Sequence, residues 1–295
     1  MKRLTPFLFL LPLAACLQKP PHQAVHYVVG SPYQADGVWH YPEADFAYDA
    51  TGIATLYAGR HGDLTADGER YSPDAFAAAH PTLQLPAIAR ITNLENGRQV
   101  VVRINDRGPA DPARILAVTP RVASVLGFSP AGTARVRVQV LPAPSEALAL
   151  SLPGGPALAV ARAPVGRVVA TALPAPGAAP SAARPSPVRA PPPGSPTRQA
   201  RWGAPSPAEQ PGARSEVAPA PGRLWIRTGV FTTEQYAALQ AEALARFGAT
   251  AVPRYGSGTV QAEVRIGPFA TIPDADAMLK KVLGADVSGA RIVVE

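Results

Sequence analysis

Hydrophobic residues between positions 51 and 141 recur in short runs, many of them with the two-residue period of β-strands. Asn96 and Gly97, which separate two of these runs, are the residue pair preferred in a tight hairpin turn. Short strands with frequent turns predict a small, mainly β barrel of about 90 residues. The predicted strands are residues 52–57, 87–93, 99–105 and 134–141.

Two helix-start signals interrupt these strands. Ser72 stands before a proline, as a helix cap often does, and predicts a short alanine-rich helix that ends at His80. Thr119 also stands before a proline and predicts a second short helix, which Gly127 ends.

Residues 222–295 show a different pattern, in which strand and helix periods alternate. The apolar positions of residues 232–247 fall on one helical face, and Gly248 predicts the end of that helix. A second helix is predicted over residues 273–283, and the order βαββαβ predicts a ferredoxin-like α+β domain with both helices on one face of the sheet. The predicted strands are residues 224–231, 250–255, 260–269 and 291–295.

Composition sets the segment between these two regions apart. Residues 142–221 hold nineteen of the 35 prolines of the chain, with alanine, arginine, glycine and serine supplying most of the rest. Such a segment buries too little apolar surface to offset its conformational entropy, so it is predicted to be a disordered, semi-extended linker. At about 3 Å per residue in its stiffer parts, it would let the flanking domains separate by more than about 100 Å.

The charge balance and the cysteine count exclude several classes of protein. The net charge is +7 with a pI of about 9.8, but the linker alone has seven arginines against three glutamates, and no basic helix or zinc-finger spacing occurs. Nucleic acid is therefore not an expected partner. A single cysteine excludes an internal disulfide framework and a multi-cysteine metal site, and neither a metal nor an organic cofactor is expected.

The first sixteen residues (MKRLTPFLFLLPLAAC) have the pattern of an export signal. A basic start is followed by an apolar run at residues 4–13 and by small residues before Cys16. The apolar run is too short to span a bilayer, which predicts a signal peptide over residues 1–15. An ordinary secretory peptide with an incidental cysteine is the alternative.

Three titratable residues are candidates for chemistry in the barrel region. Glu69 lies in a polar loop, His80 ends the predicted alanine-rich helix, and Asp106 follows an apolar strand. Each also has an ordinary structural interpretation: a solvated loop charge for Glu69, a favourable helix-end charge for His80, and a turn-forming residue before Gly-Pro for Asp106. Spacing alone does not decide between these interpretations.

Several motifs together resemble the rare lipoprotein A (RlpA) family in order and spacing. The resemblance implies a double-psi β-barrel over residues 51–141. It also implies a C-terminal SPOR module over residues 222–295, whose strands end in Gly-Val-Phe and Gly-Pro-Phe here. The matching barrel motifs are residues 52–57 (GIATLY), 65–69 (TADGE), 78–83 (AAHPTL), 92–98 (TNLENGR) and 102–109 (VRINDRGP).

This resemblance implies an endolytic lytic transglycosylase that acts on peptide-stripped (denuded) peptidoglycan strands in daughter-cell separation and cell-wall organisation. Such an enzyme cleaves the MurNAc–GlcNAc bond without water and leaves a 1,6-anhydro-MurNAc end. The C6 hydroxyl of the sugar is the nucleophile, so a single carboxyl can act first as acid and then as base, whereas ordinary glycoside hydrolysis needs two carboxyls. The alternative is a non-catalytic, expansin-like lipoprotein that binds peptidoglycan.

The resemblance also implies roles for individual residues of the barrel. Asp106, Glu69 and His80 would form the catalytic site, with Asp106 as the acid and base, Glu69 in an electrostatic or substrate-contact role, and His80 orienting one of the two carboxyls. The residues expected to contact substrate are Thr55, Tyr57 and Arg107, although a structural role is the favoured interpretation for Arg107.

In the SPOR-like module the implied ligand is denuded glycan at the septum, bound on the sheet face that carries no helix. Trp225, Arg227 and Arg265 are the candidate contacts, and strand alternation places Trp225 and Arg227 on one face. The family commonly has glutamine where Arg227 stands.

The tail of the signal segment resembles a bacterial lipobox, which implies cleavage before Cys16 and lipidation of that residue. Residues 16–50 would then be a lipidated arm whose aromatic rings pack on a neighbouring domain. Leu17, in place of an aspartate, implies retention in the outer membrane facing the periplasm, with the lipid on Cys16 as the membrane anchor.

The barrel departs from the family pattern at two positions, and the first of these favours the non-catalytic alternative. Ala117 stands where family members usually carry aspartate, and Leu56 replaces a tryptophan that would line the sugar groove. The candidate trio of Glu69, His80 and Asp106 favours the enzyme.

Overall fold

The computed structural model describes residues 24–129, 131–156, 206–255, 260–285 and 287–295. The predicted signal peptide and Cys16 lie outside these residues. No helix in these ranges is both long and apolar enough to cross a membrane.

The described part of the N-terminal arm lies against the barrel. It contains a two-stranded hairpin, β1 (Tyr33–Ala35) and β2 (Val38–His40). The Tyr33 hydroxyl donates to the carbonyl of Pro81 at 2.9 Å, and Val28 forms a β-bridge with Leu85. The ring of Tyr48 packs edge-on against His80.

Six strands form a closed, mixed β-barrel. They pair in the order β4-β7-β3-β8-β5-β6, and β4 also pairs with β6, which closes the sheet on itself. Inward-facing aliphatic side chains such as Ile91, Val102 and Val136 are fully buried and fill its interior. The strands are β3 (Asp49–Leu56), β4 (Ala77–Ala79), β5 (Ala87–Asn93), β6 (Arg98–Asp106), β7 (Leu116–Val118) and β8 (Thr133–Val140).

The second predicted helix of the barrel is confirmed and the first is wrong. Helix α1 (Pro120–Leu126) begins where the Thr119 side chain accepts from the Val122 amide, and it ends at Gly127 with φ 67°. Residues 77–79, by contrast, form β4, which is buried along its whole length. The alanines favour a helix locally, but the two ladders to β6 and β7 outweigh that preference.

The C-terminal residues have the predicted βαββαβ order, and the strands pair in the order β11-β12-β10-β13. Leu224 and Ile226 pack against Leu279 and Val282 of the second helix, so the odd-numbered residues of β10 point to the opposite face. The elements are β10 (Leu224–Phe231), α3 (Glu234–Ala243), β11 (Ala249–Tyr255), β12 (Val260–Phe269), α4 (Ile272–Leu283) and β13 (Arg291–Val294).

The prediction that residues 142–221 form one continuous linker is corrected at both ends. Helix α2 (Pro142–Ser151) packs against β5 through Ile88, Leu141 and Leu148. Strand β9 (Arg214–Glu216) adds to the edge of β6. The first end packs apolar side chains on the barrel, and the second forms backbone hydrogen bonds with β6. The average composition of eighty residues does not reveal these local contacts. Residues 157–205 lie outside the described ranges.

The barrel and the C-terminal unit contact each other through β3 and the segment before β7. The Thr51 hydroxyl donates to the carbonyl of Val294 at 2.8 Å and accepts from its amide at 3.0 Å. The guanidinium of Arg114 binds both oxygens of Asp276 at 2.7 Å each. Ile53, fully buried, packs into the core of the C-terminal unit.

Candidate active site

The carboxyl group of Asp106 lies at the end of β6, where three segments meet. Its Oδ1 accepts from the backbone amides of Ala66 at 2.9 Å and Arg107 at 2.8 Å. Its Oδ2 accepts a short hydrogen bond from the Tyr57 hydroxyl. Tyr57 directly follows β3, and its amide donates to the carbonyl of Val118 at 2.8 Å. Strand ends on both sides therefore fix the position of this carboxyl group.

The loop that carries Glu69 is folded around a buried carboxyl. Asp67 is fully buried, and its Oδ1 accepts from the Thr65 hydroxyl at 2.7 Å and from the Glu69 amide at 3.1 Å. Burial raises the pKa of Asp67 above its ordinary value. The Asp67 amide donates to the carbonyl of Asn105 at 3.3 Å, which joins this loop to the end of β6.

The Glu69 carboxyl lies beside the residue that precedes Asp106. Asn105 Nδ2 donates to its Oε2 at 2.7 Å, and the guanidinium of Arg103 binds its Oε1 at 2.7 Å. Arg103 also reaches Asp67 at 3.5 Å. The end of β6 thus carries Asp106 and also binds Glu69 through the side chains of Arg103 and Asn105.

The two carboxyls differ in what their partners can do when a proton moves. The Oδ2 of Asp106 meets a hydroxyl, which can accept as well as donate. The partners of Glu69, a guanidinium and an amide NH₂, can only donate, so neither can accept a hydrogen bond from a carboxyl proton. Burial, together with the hydrogen bond to Asp106, raises the pKa of Tyr57, which therefore keeps its proton at neutral pH.

His80 is buried, and its ring hydrogen bonds do not run to either candidate carboxyl. Nδ1 accepts from the amides of Thr82 at 3.2 Å and Leu83 at 3.1 Å, which places the ring proton on Nε2, 3.1 Å from the Tyr48 hydroxyl. Burial lowers the pKa of His80 to about 3, so the ring is neutral. Its link to Asp106 is through the backbone, where the His80 amide donates to the Asp106 carbonyl at 3.0 Å.

Arg107 occupies a structural position. Its guanidinium donates to the backbone carbonyls of Val29 and Leu83, so it ties the N-terminal arm to the turn after β4. Burial lowers its pKa. These contacts agree with the structural interpretation favoured from the sequence.

Thr55 and Ala117 lie in one register row with Asp106. Thr55 pairs with Ala117, Ala117 pairs with Ala79, and Ala79 pairs with Asp106. Ala117 is 3% exposed, so the position at which an aspartate was expected is a buried methyl group here. Leu56, at the position of the expected tryptophan, is 44% exposed.

Sequence reasoning missed three residues that hold the site together: Asp67, Arg103 and Asn105. The available signal was the pair Arg103 and Asn105 within the otherwise apolar strand, since buried polar side chains in a strand require partners. Within the described ranges, no group of three or more His, Cys, Asp and Glu side chains is placed to hold a metal ion.

The three residues predicted to bind glycan in the C-terminal unit come together on its helix-free face. Arg227 and Arg265 are directly opposed in the β10–β12 ladder, and the Arg265 guanidinium lies 4.2 Å from the centre of the Trp225 ring. Alternation along β10 predicted the shared face of Trp225 and Arg227 but did not place Arg265. The register of β10 with β12 places Arg265 on that face.

Comparisons with known proteins agree with the barrel geometry. Residues 49–138 match the double-psi β-barrel family model described as lytic transglycolase, and residues 222–295 lie outside that match.

The chain is also similar to proteins named endolytic peptidoglycan transglycosylase RlpA. The identity is 38% over 133 residues for the protein of Rickettsia bellii, covering 43% of this chain and 59% of the relative. It is 42% over 130 residues for Neisseria meningitidis serogroup A, with coverage of 43% and 54%, and 44% over 114 residues for Pseudomonas aeruginosa, with coverage of 38% and 33%. The match therefore spans less than two thirds of the length of each of these relatives.

Proposed function

Because residues 49–138 form a double-psi β-barrel of the RlpA family, we propose that this protein is an endolytic peptidoglycan transglycosylase. The observation that carries the proposal is the Asp106 carboxyl at the end of β6, held by two backbone amides and the Tyr57 hydroxyl, while the preceding residue, Asn105, binds Glu69. The substrate in this proposal is the MurNAc–GlcNAc bond of glycan strands without peptide stems.

The proposed reaction needs no water. Protonated Asp106 donates its proton to the glycosidic oxygen as the bond from that oxygen to C1 of MurNAc breaks, which releases the 4-hydroxyl of GlcNAc. The C6 hydroxyl of the same MurNAc then bonds to C1, and its proton returns to Asp106. The products are one chain end with a free GlcNAc 4-hydroxyl and one with a 1,6-anhydro-MurNAc ring.

The hydrogen bonds support this assignment of Asp106 over Glu69. When Asp106 is ionised, the Tyr57 hydroxyl donates to Oδ2. When Asp106 is protonated, the same oxygen pair keeps its hydrogen bond with the direction reversed, until the proton moves to the substrate. Each oxygen of Glu69 instead faces a group that can only donate, Asn105 Nδ2 or the Arg103 guanidinium, so a proton on either oxygen would have no acceptor there.

Glu69 is the electrostatic partner in this proposal. Bound by Arg103 and Asn105, its carboxylate stabilises the positive charge that develops at C1 as the glycosidic bond breaks. It does not need to activate water, which distinguishes this site from that of an inverting hydrolase.

A second candidate function is a peptidoglycan-binding protein without catalysis. The observation in its favour is the buried Ala117, which leaves the row that ends at Asp106 without a further carboxyl.

Incubation of the protein with purified, peptide-free glycan strands separates the two candidates. Mass spectrometry should find anhydro-ended fragments, and Asp106→Asn should abolish them while binding to the polymer persists. Asp74→Asn, an exposed carboxyl elsewhere on the barrel, is the matched control and should leave cleavage unchanged. Binding without any fragments from the parent protein would decide for the second candidate.

We further propose that the C-terminal unit is a SPOR-type module that brings the barrel to denuded glycan at the division septum. The shared face of Trp225, Arg227 and Arg265 supports this, since no helix covers it and the Trp225 and Arg265 side chains remain partly exposed. Septal enrichment of a fluorescent fusion should disappear when Trp225→Ala is combined with Arg265→Ala, and unchanged enrichment would contradict the proposal.

The lipobox-like residues before Cys16 support a lipid anchor in the outer membrane, with the enzyme facing the periplasm. In this proposal the protein acts in daughter-cell separation and cell-wall organisation. Cys16→Ala should move the protein from the membrane fraction to the soluble periplasmic fraction, and unchanged fractionation would refute lipidation.

A further inference from the structure

Three arginines stand in one register row across the sheet of the C-terminal unit. Arg291 of β13 is directly opposite Arg227 of β10, which is directly opposite Arg265 of β12. Like charges in directly opposed cross-strand positions destabilise a sheet. Stability alone therefore does not account for this row.

Nearby carboxylates compensate the charge only in part. Glu295 binds Arg227 at 2.8 Å and Arg265 at 3.1 Å. Glu263, which is 5% exposed, binds Arg227 at 2.8 Å and Arg254 at 3.4 Å. Three guanidinium groups, those of Arg227, Arg254 and Arg265, thus share two carboxylates.

Arg291 is the arginine of this row that has no carboxylate partner among the described residues. Its side chain is exposed, and within the described ranges it forms no ion pair or side-chain hydrogen bond. An unpaired guanidinium beside two paired ones is ready to accept an anion without first breaking an internal contact.

Arg291 lies where two clefts meet. The first, of 540 Å³, is walled on one side by this sheet, with Arg227 and Arg254, and on the other by the barrel, with Thr51 and Arg137. The second, of 410 Å³, continues from Arg291 along the barrel to Thr82 and Leu83. The barrel wall is already neutralised where Arg137 binds both oxygens of Asp49, at 2.7 and 2.5 Å.

We propose that this cleft between the two domains binds a carboxylate-bearing glycan, with Arg291 as the residue that binds the carboxylate. The proposal rests on the proposed function for the identity of the polymer. Removal of the peptide stem leaves the lactyl group of each muramic acid as a free carboxylate, so a denuded strand presents one negative charge per disaccharide. An intact stem occupies that carboxyl group as an amide, so Arg291 distinguishes denuded strands from substituted ones.

The shape and charge of the cleft favour a polymer chain over a phospholipid surface. A groove between two domains admits a strand, whereas a bilayer surface requires a convex or flat basic face. The second cleft also carries Glu43 and Asp45, which repel a densely anionic surface but tolerate widely spaced charges.

The test measures binding of the full chain to two preparations of the same strands, one with free carboxylates and one in which they have been converted to methylamides. We expect the parent protein to bind the free-carboxylate strands about tenfold more tightly, and Arg291→Gln to remove that difference while Arg291→Lys retains part of it. Arg246→Gln makes the same change of charge at an exposed position after α3, outside the cleft, and should preserve the difference.

The outcomes separate this inference from the proposed function. Equal binding of both preparations by a parent protein that still yields anhydro products would overturn the carboxylate site and leave the enzyme intact. No binding and no products would refute the proposed function itself. Binding to phosphatidylglycerol vesicles that depends on Arg291 as strongly as glycan binding does would show a general anion patch and would also overturn the inference.

Discussion

Acidification should weaken the barrel through a single buried imidazole. His80 is neutral in the folded protein because burial lowers its pKa to about 3, from an ordinary value of 6.5. In the unfolded chain His80 binds a proton below about pH 6.5. In the folded chain it does so only below about pH 3. The contribution of His80 to stability is therefore complete above pH 6.5 and is lost progressively as the pH falls from 6.5 towards 3.

The size of the effect follows from these two values. Each pH unit inside the window costs at most about 1.4 kcal/mol for one proton. Acidification from pH 7.5 to 5.0 crosses about 1.5 units of it, so His80 alone should reduce the free energy of unfolding by about 2 kcal/mol.

The assay compares the parent protein with His80→Asn at pH 7.5, 6.5, 5.8 and 5.0. Asparagine presents an oxygen close to the position of Nδ1, so it can still accept from the turn amides, but it does not titrate. Hydrogen–deuterium exchange of peptides from β5 and β6 reports barrel stability alone. We expect the parent to lose about 2 kcal/mol more than the variant over this range. Equal losses in both proteins would refute the reasoning, because carboxyl groups common to both would then explain all of the pH dependence.

Three further predictions test other contacts. Tyr57→Phe removes the hydroxyl that exchanges a hydrogen bond with Asp106 and should reduce turnover about 10- to 100-fold with little change in glycan binding; unchanged turnover would exclude this role. A double-mutant cycle of Arg114→Ala and Asp276→Ala, measured by urea denaturation, should give a coupling energy of about 1–2 kcal/mol, and additive effects would mean that the ion pair does not join the domains. Gly97→Ala places a methyl group 1.8 Å from the Val217 carbonyl oxygen at φ 78°, so it should cost about 1 kcal/mol from the backbone alone and speed amide exchange in β9, and unchanged protection of β9 would count against its pairing with β6.

Local signals predicted the parts of the barrel that depend on neighbouring residues. The hairpin around Asn96 and Gly97 and the caps of α1 at Thr119 and Gly127 are set within a few residues, and both are found. Strand β4 could not be predicted in this way, because three alanines favour a helix and become a strand only through pairing with β6 and β7.

The candidate site shows the same division. The sequence indicated that Asp106 ends a strand, and the family resemblance brought Glu69 to the same site. The hydrogen bonds of the His80 ring depend on Tyr48 and on the turn after β4, which are fixed by the closed barrel, so its side-chain role was not accessible. The Arg291 row likewise exists only once three strands are in register.

Strand β9 limits how far apart the barrel and the C-terminal unit can lie. Because β9 is attached to β6, only the seven residues between β9 and β10 lie between the barrel sheet and the C-terminal sheet. Seven residues extend to at most about 25 Å. Insertions or deletions in residues 157–205 should therefore leave the reach between the two sheets unchanged. Lengthening residues 217–223 should increase the distance to which the domains can separate once the contacts of Thr51 and Arg114 are broken. If the barrel cleaves glycan and the C-terminal unit binds it as proposed, this short connector would keep the cleaved bond within a few sugars of the bound ones.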